Sequence, residues 1–300
     1  MRIAIMSRKR SLYSTRRLIE EAESRKITPV VMNPLKTDII VGKAGHYIYY
    51  NKRKIKNISA VIPRIGASTT RHGLNVLRQF VEMGVPSISN PEGIAIARDK
   101  FHCLQTMAKN GILVPKSILI RSLNNIEKAI DRVGGAPVIV KLIRGTQGVG
   151  VILIESKKSA TSILEALWSL GQHIMIQEFI VESRGVDIRC MVVNGRVVAS
   201  GKRIARIGEF RSNYHQGGVF ETVDLSPGQK DIAVRAATSI GIDVAGIDML
   251  ESAKGLMVLE VNASPGFEGL ESVTQVNVAG AILDYARELA EKKEGKKAPL

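Results

Sequence analysis

Apolar and polar positions along the chain switch between a period near two and a period near 3.6, and the switches mark out elements. Arg2–Ser7 is a short apolar strand. Leu12–Arg25 sets Leu12, Leu18, Ile19 and Ala22 at helical spacing with charges between them. Thr28–Met32 predicts a second strand, stopped by Asn33-Pro34. His46–Ile58 reads as a hairpin around Asn51-Lys52, Ala60–Ile65 as a strand, Thr70–Glu82 as a helix and Pro86–Ser89 as a short extended piece. Pro91–Asn110 predicts one helix closed by Gly111 and leading out of a first domain. Strand–helix alternation of this kind implies a small parallel sheet covered by helices.

The pattern then changes character. Val138–Leu142 and Val149–Glu155 are β-branched strands joined by Arg144-Gly145-Thr146-Gln147-Gly148-Val149-Gly150. Ser159–Leu170 predicts a helix and His173–Val181 a strand. Asp187–Val193 and Arg196–Gly201 form a hairpin across Asn194-Gly195, a strong short-range hairpin signal. A polar loop, Arg206–Gly218, precedes a helix at Pro227–Ile240, strands at Ala245–Leu250 and Leu256–Val261, and a last helix at Val278–Lys292.

Composition narrows the class. At 300 residues, 45% hydrophobic and 24% charged, the chain is globular rather than disordered, with length for about two domains. No apolar run approaches the ~18 residues of a membrane span, and the start turns basic too early for a secretory segment. The two cysteines, Cys103 and Cys190, lie far apart, so no disulfide framework or zinc ribbon is readable. A soluble, cytoplasmic protein with no membrane partner is the expectation.

Charge adds an asymmetry. The net charge is +15, and the first hundred residues carry +12 of it, with 19 basic and 7 acidic side chains. The last hundred carry −2. The basic third is expected to attract a polyanion, with ordinary surface solvation as the alternative.

Four groups of residues carry candidate chemistry. Gly145, Gly148 and Gly150 permit close backbone approach to a phosphate, although glycines alone also fit a plain turn. A strand rather than a helix follows them and no GK[ST] is present, which disfavours the P-loop and dinucleotide-binding readings. Lys141, inside the apolar run Val138–Ile143, calls for an anion, because a buried ammonium without a partner is costly. Lys100, by itself, is equally a solvated helix charge. The second group is acidic. Glu260 and Asn262, at i and i+2 of a strand, share a face, and an adjacent strand brings Asp248 beside them. Two carboxylates and an amide oxygen are hard ligands suited to Mg²⁺. The third is Gln177-Glu178-Phe179-Ile180, a strand end able to meet an adenine edge, with Asp187 in reach of a ribose. The fourth is Arg189, Arg203, Arg211 and Asn213, placed to hold a transferring phosphoryl group.

Taken in order, Lys141, the segment 145–150, Gln177–Ile180, Asp187-Ile188-Arg189, Phe210-Arg211-Ser212-Asn213, Asp248 and Glu260-Val261-Asn262-Ala263-Ser264-Pro265-Gly266 resemble the ATP-grasp ligases. Ser7-Arg8, Val61–Gly66 and Ile94–Lys100 bring the likeness closer to the RimK-type subgroup. It covers roughly residues 1–290.

The resemblance implies an α/β (α+β) ATP-grasp fold with an N-terminal open parallel-sheet domain. The expected division is 1–97 for that domain, 98–185 for a central lobe, 186–292 for a C-terminal lobe with the metal site, and 293–300 for a basic flexible tail. It implies that ATP is bound by Lys100, Lys141, Gly145, Gly148, Gly150, Gln177, Glu178, Phe179, Asp187, Arg211, Ser212 and Asn213. Asp248, Glu260 and Asn262 would hold two Mg²⁺ or Mn²⁺ ions. Arg203, Arg189 and Arg211 are the expected catalytic groups, Arg203 at the oxyanion. Arg64 and Ser264 are the expected substrate contacts, with Arg71 and Arg78 assisting Arg64 in drawing in an acidic tail.

The implied reaction adds L-glutamate to the C-terminal tail of the sixth protein of the small ribosomal subunit through an acyl phosphate, with poly-α-glutamate as a further product. A homo-oligomer, with a tetramer as the candidate, is also implied. The alternative within enzymes is an ATP-grasp ligase of a small molecule or carrier protein. A nucleic-acid-binding module is a different class. Its support is the pI of about 9.9, and 4% aromatics with no recognisable binding motif argue against it.

Overall fold

A computed structural model describes residues 1–43, 45–124, 126–143, 150–169, 171, 173–206 and 218–295. The first domain runs β1 (Arg2–Met6), α1 (Tyr13–Ser24), β2 (Thr28–Met32), β3 (Thr37–Gly42), β4 (Gly45–Tyr50), β5 (Arg53–Lys54), β6 (Ala60–Pro63) and α2 (Thr70–Glu82). β2-β1-β6 is a parallel sheet, as the strand–helix alternation predicts. β3-β4-β5 is a separate antiparallel sheet, turned at Asn51 and Lys52, both with positive φ. The pattern does not announce β3, because neighbouring Ile40 and Val41 are both exposed and the alternation of a half-buried strand is missing.

The single helix expected over Pro91–Asn110 is two, α3 (Pro91–Arg98) and α4 (Lys100–Lys109). Asp99 breaks it. Its backbone is extended, and its carboxylate accepts from the N–H groups of Phe101 at 3.1 Å and His102 at 3.0 Å. Asp is a strong N-cap, and its local bonds outweigh continuation of the apolar stripe.

The central region comprises β7 (Ser117–Ile120), α5 (Ile126–Arg132), β8 (Val138–Leu142), β9 (Val151–Ile154), α6 (Lys157–Ser169) and β10 (Ile174–Glu178). Its antiparallel sheet has the order β7-β10-β8-β9 over its own core, including Ile130, Val140, Leu164 and Ile176. β10 stops three residues short of the expected Val181, where a 3₁₀ turn begins.

The last region comprises β11 (Val186–Val193), β12 (Arg196–Ile204), β13 (Val219–Thr222), α7 (Pro227–Ile240), β14 (Val244–Ser252), β15 (Gly255–Asn262), α8 (Glu268–Thr274) and α9 (Val278–Gly295). Its antiparallel sheet has the order β13-β12-β11-β14-β15. Asn194 and Gly195 take the positive φ of the predicted hairpin. α7 matches its sequence signals, with a Ser226–Gln229 capping box, Pro227 in the first turn and left-handed Gly241 at the end.

The first and last regions share apolar cores. Ile3, Ile5 and Leu18 pack in one cluster with Met191, Phe267 and Ile282. Leu104 and Met107 of α4 belong to a second cluster with Ala237 and Val258. The expected boundary at 98 thus falls at the α3–α4 break, while α4 packs with the last region and the central core begins at Ile120. Among the described residues no helix is long and apolar enough to cross a membrane.

Candidate functional site

Strand register assembles the site. Asp187 of β11 lies opposite Arg203 of β12, Arg189 of β11 opposite Asp248 of β14, and Asp248 opposite Glu260 of β15. Asn262 lies opposite Gly246. Directly paired residues share a face, as do residues two apart, so Arg203, Asp187, Arg189, Asp248, Glu260 and Asn262 form one row of alternating charge across the sheet. The predicted neighbourhood of Asp248, Glu260 and Asn262 is therefore present in the fold.

The row is tightly paired at one end and open at the other. Arg203 is 5% exposed and grips Asp187 with two bonds, Nε to Oδ1 at 2.5 Å and a terminal nitrogen to Oδ2 at 2.7 Å. The same guanidinium reaches Asp248 Oδ2 at 2.9 Å. Arg189 donates to both oxygens of Asp248, at 2.7 and 2.6 Å. Burial alone would raise the Asp248 carboxyl, but Arg189 and Arg203 outweigh it and hold the group well below the usual carboxylate range. Arg203 is in turn held protonated by Asp248 and Asp187 against the effect of its own burial. Arg203, expected to stabilise an oxyanion, is thus bound to two carboxylates here, and Asp187 presents oxygens already bonded to Arg203. Glu260 is exposed and makes no hydrogen bond or ion pair with a described residue. Asn262 Oδ1 accepts from the Ser264 N–H at 3.0 Å.

Gly246 lets the chain close over this row. A Cβ there would sit 2.7 Å from the Pro265 Cβ, so only glycine admits the turn that carries Ser264. Opposite Glu260, a small cavity of about 10 Å³ is lined by Lys100, Cys103, Lys141, Met175, Leu259 and Glu260, with Ala97 and Leu104. Burial pushes the Lys141 ammonium down to about 8, with Lys100 adding to the fall and Glu260 and Asp248 opposing it. Lys100 occupies the first turn of α4 because Asp99 breaks the helix.

Other expected residues are placed differently. Gln177 is 1% exposed and its amide donates to Ser117 Oγ at 2.8 Å, so the side chain serves the sheet rather than a cleft. A strand flanked on both sides leaves it no other direction. Glu178 accepts the Lys116 N–H at 2.7 Å, and its own N–H donates to the Lys116 carbonyl at 2.9 Å, at the strand end where Phe179 follows. Gly150 has φ +83 and packs against Leu142 at the start of β9. Gly145, Gly148, Arg211, Ser212 and Asn213 lie outside the described residues.

The expected grouping of Arg64, Arg71 and Arg78 does not form. Arg78 pairs with Glu92 at 2.8 Å, whereas Arg64 is half-buried with its guanidinium 5.7 Å from the Phe267 ring centre. Sequence spacing misses Arg98, whose field reaches Glu260 and Arg64. Its position after the apolar run Ile94–Ala97 is the one signal for it.

Comparisons with known proteins match this geometry to a family. The description "RimK PreATP-grasp domain" matches residues 1–94 and "RimK-like ATP-grasp domain" residues 97–286. A probable alpha-L-glutamate ligase of Rhodopirellula baltica is 48% identical over 285 residues, 95% of this chain and 70% of that protein. Probable alpha-L-glutamate ligase 1 of Shewanella denitrificans is 46% identical over 292 residues, 97% of this chain and 99% of that one. Among solved structures, the ATP-grasp ligase PsnB complexed with minimal precursor superposes with a TM-score of 0.76 at 21% identity, covering 96% of this chain and 98% of its own.

Proposed function

This chain belongs to the RimK-like ATP-grasp family, and on that premise we propose that it is an ATP-dependent carboxylate–amine ligase that transfers L-glutamate to a peptide C-terminus. The supporting observation is the meeting of Glu260, a carboxylate with no hydrogen bond or ion pair to a described residue, with Lys141 and Lys100 across one cavity.

The donor set suits a hard divalent cation. Glu260 offers an open carboxylate, Asn262 an amide oxygen, and Asp248 the lone pairs left over from its two arginines. Asp248, Glu260 and Asn262 would hold Mg²⁺ or Mn²⁺, two ions in our reading, which supply charge neutralisation for phosphate oxygens. Lys141 and Lys100 hold phosphates from the opposite wall. The backbone at Glu178-Phe179 meets the adenine. Asp187 accepts from the ribose with lone pairs that Arg203 leaves over. Arg189 and Arg203 keep Asp248 ionised and in place.

In this arrangement a substrate carboxylate oxygen attacks the γ-phosphorus, ADP leaves, and an acyl phosphate results. The amine of glutamate then attacks the acyl carbon and phosphate departs. The chain supplies alignment and fixed charge, with no nucleophile of its own. The acceptor we propose is the C-terminal tail of the sixth protein of the small ribosomal subunit, supported by the +12 balance of the basic first hundred residues. Incubation with ATP, Mg²⁺ and labelled glutamate, with and without purified small ribosomal subunits, tests both levels. Label in one small-subunit protein supports the acceptor, and absence of glutamate-dependent ADP release under every condition refutes the ligase.

A further inference from the structure

Where the first domain meets the last, the interior holds positive charge and hydrogen-bond donors with no anion to receive them. Arg64 follows β6, and its backbone N–H donates to the Met6 carbonyl at 2.9 Å, which fixes it at the carboxyl edge of the parallel sheet. That edge is where open parallel sheets present ligands. Its guanidinium has no hydrogen bond or ion pair with any described residue, only the Phe267 face beneath it and the like charge of Arg98 nearby.

Arg98 is equally ill provided. One terminal nitrogen donates to the Ile65 carbonyl, while its Nε is buried with no partner. Ser264, three residues before Phe267, has a buried Oγ with no partner either. Among the described residues only four buried side-chain polar atoms are unpartnered, and two of them belong to Arg98 and Ser264. Unmet buried donors cost roughly 1–3 kcal/mol each, so their concentration around one unpaired guanidinium points to a missing acceptor. Burial, with Arg98 beside it, pushes Arg64 down to about 10, which leaves it charged at neutral pH.

We propose that Arg64, Arg98 and Ser264 form a subsite for a substrate carboxylate, seated over Phe267 and next to Glu260. A carboxylate matches the guanidinium fork and also accepts from a hydroxyl. Arg98 links this subsite to the Glu260 end of the charged row, so a carboxylate bound here lies beside the reacting groups of the ligase proposed above, on which this role rests. Two sources share the chemistry, free L-glutamate and the end of a peptide chain.

Calorimetry on the full chain separates them. Glutarate, L-glutamate, a peptide ending in glutamate and the C-terminal amide of that peptide are titrated into wild type, Arg64→Gln and Ser264→Ala, with and without ADP and Mg²⁺. Arg64→Gln is expected to weaken at least one carboxylate probe by about tenfold or more, with Ser264→Ala a smaller loss in the same probe. A loss confined to L-glutamate and glutarate assigns the subsite to the incoming amino acid. A loss confined to the free-acid peptide assigns it to the acceptor. Arg64 has no protein hydrogen bond to lose, so its variant is expected to melt as wild type does, and Arg98→Gln is needed only as confirmation. Equal affinities of wild type and Arg64→Gln for all four probes, or no binding of any probe to wild type at millimolar concentration, overturns the proposal. Carboxylate binding is read without turnover, so failure of the ligase reading would appear separately, as absent ADP release.

Discussion

Glu260 and Lys141 face the same small cavity from different strands, and each yields a distinct prediction. Glu260 is exposed and without a protein partner, so Glu260→Gln removes one charge and little packing. The melting temperature should stay near that of wild type, since such substitutions shift stability by about 0.5 kcal/mol or less. Glutamate-dependent ADP release should fall by about 100-fold or more, because the open member of the donor set is gone. Undiminished ADP release would remove Glu260 from the site. Lys141 gives a pH signature. Its folded value of about 8 lies below the ordinary 10.5, so between those limits the folded chain binds fewer protons than the unfolded chain. Stability contributed through this group therefore rises as pH climbs from 8 toward 10.5. It is lowest below 8, where the buried ammonium is fully charged. A triphosphate beside the ammonium reverses the desolvation penalty, so ATP binding at pH 8–9 should take up protons. Calorimetry in buffers of different ionisation enthalpy should show that uptake in wild type and lose it in Lys141→Met. Binding without proton uptake in wild type would place the phosphates elsewhere.

At the scale of elements, glycine positions decide how closely the site can close. Gly246→Ala places a Cβ 2.7 Å from the Pro265 Cβ, and a proline ring at a turn has little room to give. The substitution should cost about 1–3 kcal/mol in denaturant unfolding and raise the Mg²⁺ concentration needed for half-maximal ADP release, because the strained turn contains Ser264 and follows Asn262. Gly228→Ala is the control. No atom lies within 4 Å of its Cβ position and it sits inside α7, so it should be neutral or stabilising by up to about 1 kcal/mol. The same scale shows what the sequence discloses. α7 and the β11–β12 hairpin are legible because their punctuation is local, in Ser226-Pro227, Gly241 and Asn194-Gly195. The shared face of Glu260 and Asn262 follows from strand periodicity. The pairing of Arg203 with Asp187 and Asp248 does not, because it depends on the register of β12, β11 and β14. β3 and the break at Asp99 escape for a related reason. Exposed apolar residues hide the strand, and one cap competes with an unbroken stripe.

Over the whole molecule, the first domain is bound to the last by a shared core and one buried carboxylate. Glu271 of α8 is 8% exposed and accepts from the Tyr13 hydroxyl at 2.8 Å, Arg17 Nε at 3.1 Å and the Ala279 N–H at 3.1 Å. It thus joins α1 to α8 and to the start of α9. Glu271→Leu strands Tyr13 and Arg17 and should cost about 3–5 kcal/mol, whereas Glu271→Gln keeps an acceptor and should cost less, about 1–3 kcal/mol. The central region has its own core, so the loss should not spread evenly. Hydrogen exchange should speed up in β1, α1, α8 and α9 of Glu271→Leu while β7, β8 and β10 keep wild-type protection. Uniform acceleration across all three regions would mean that the chain unfolds as one unit and that the separate core confers no independence. Arg64 is placed by the first domain and Lys141 by the central one, so the two kinds of binding should also part company. Glu271→Gln should raise the KM for the carboxylate substrate while the KM for ATP stays within about twofold, and a parallel rise in both would show that the carboxylate and nucleotide sites move together.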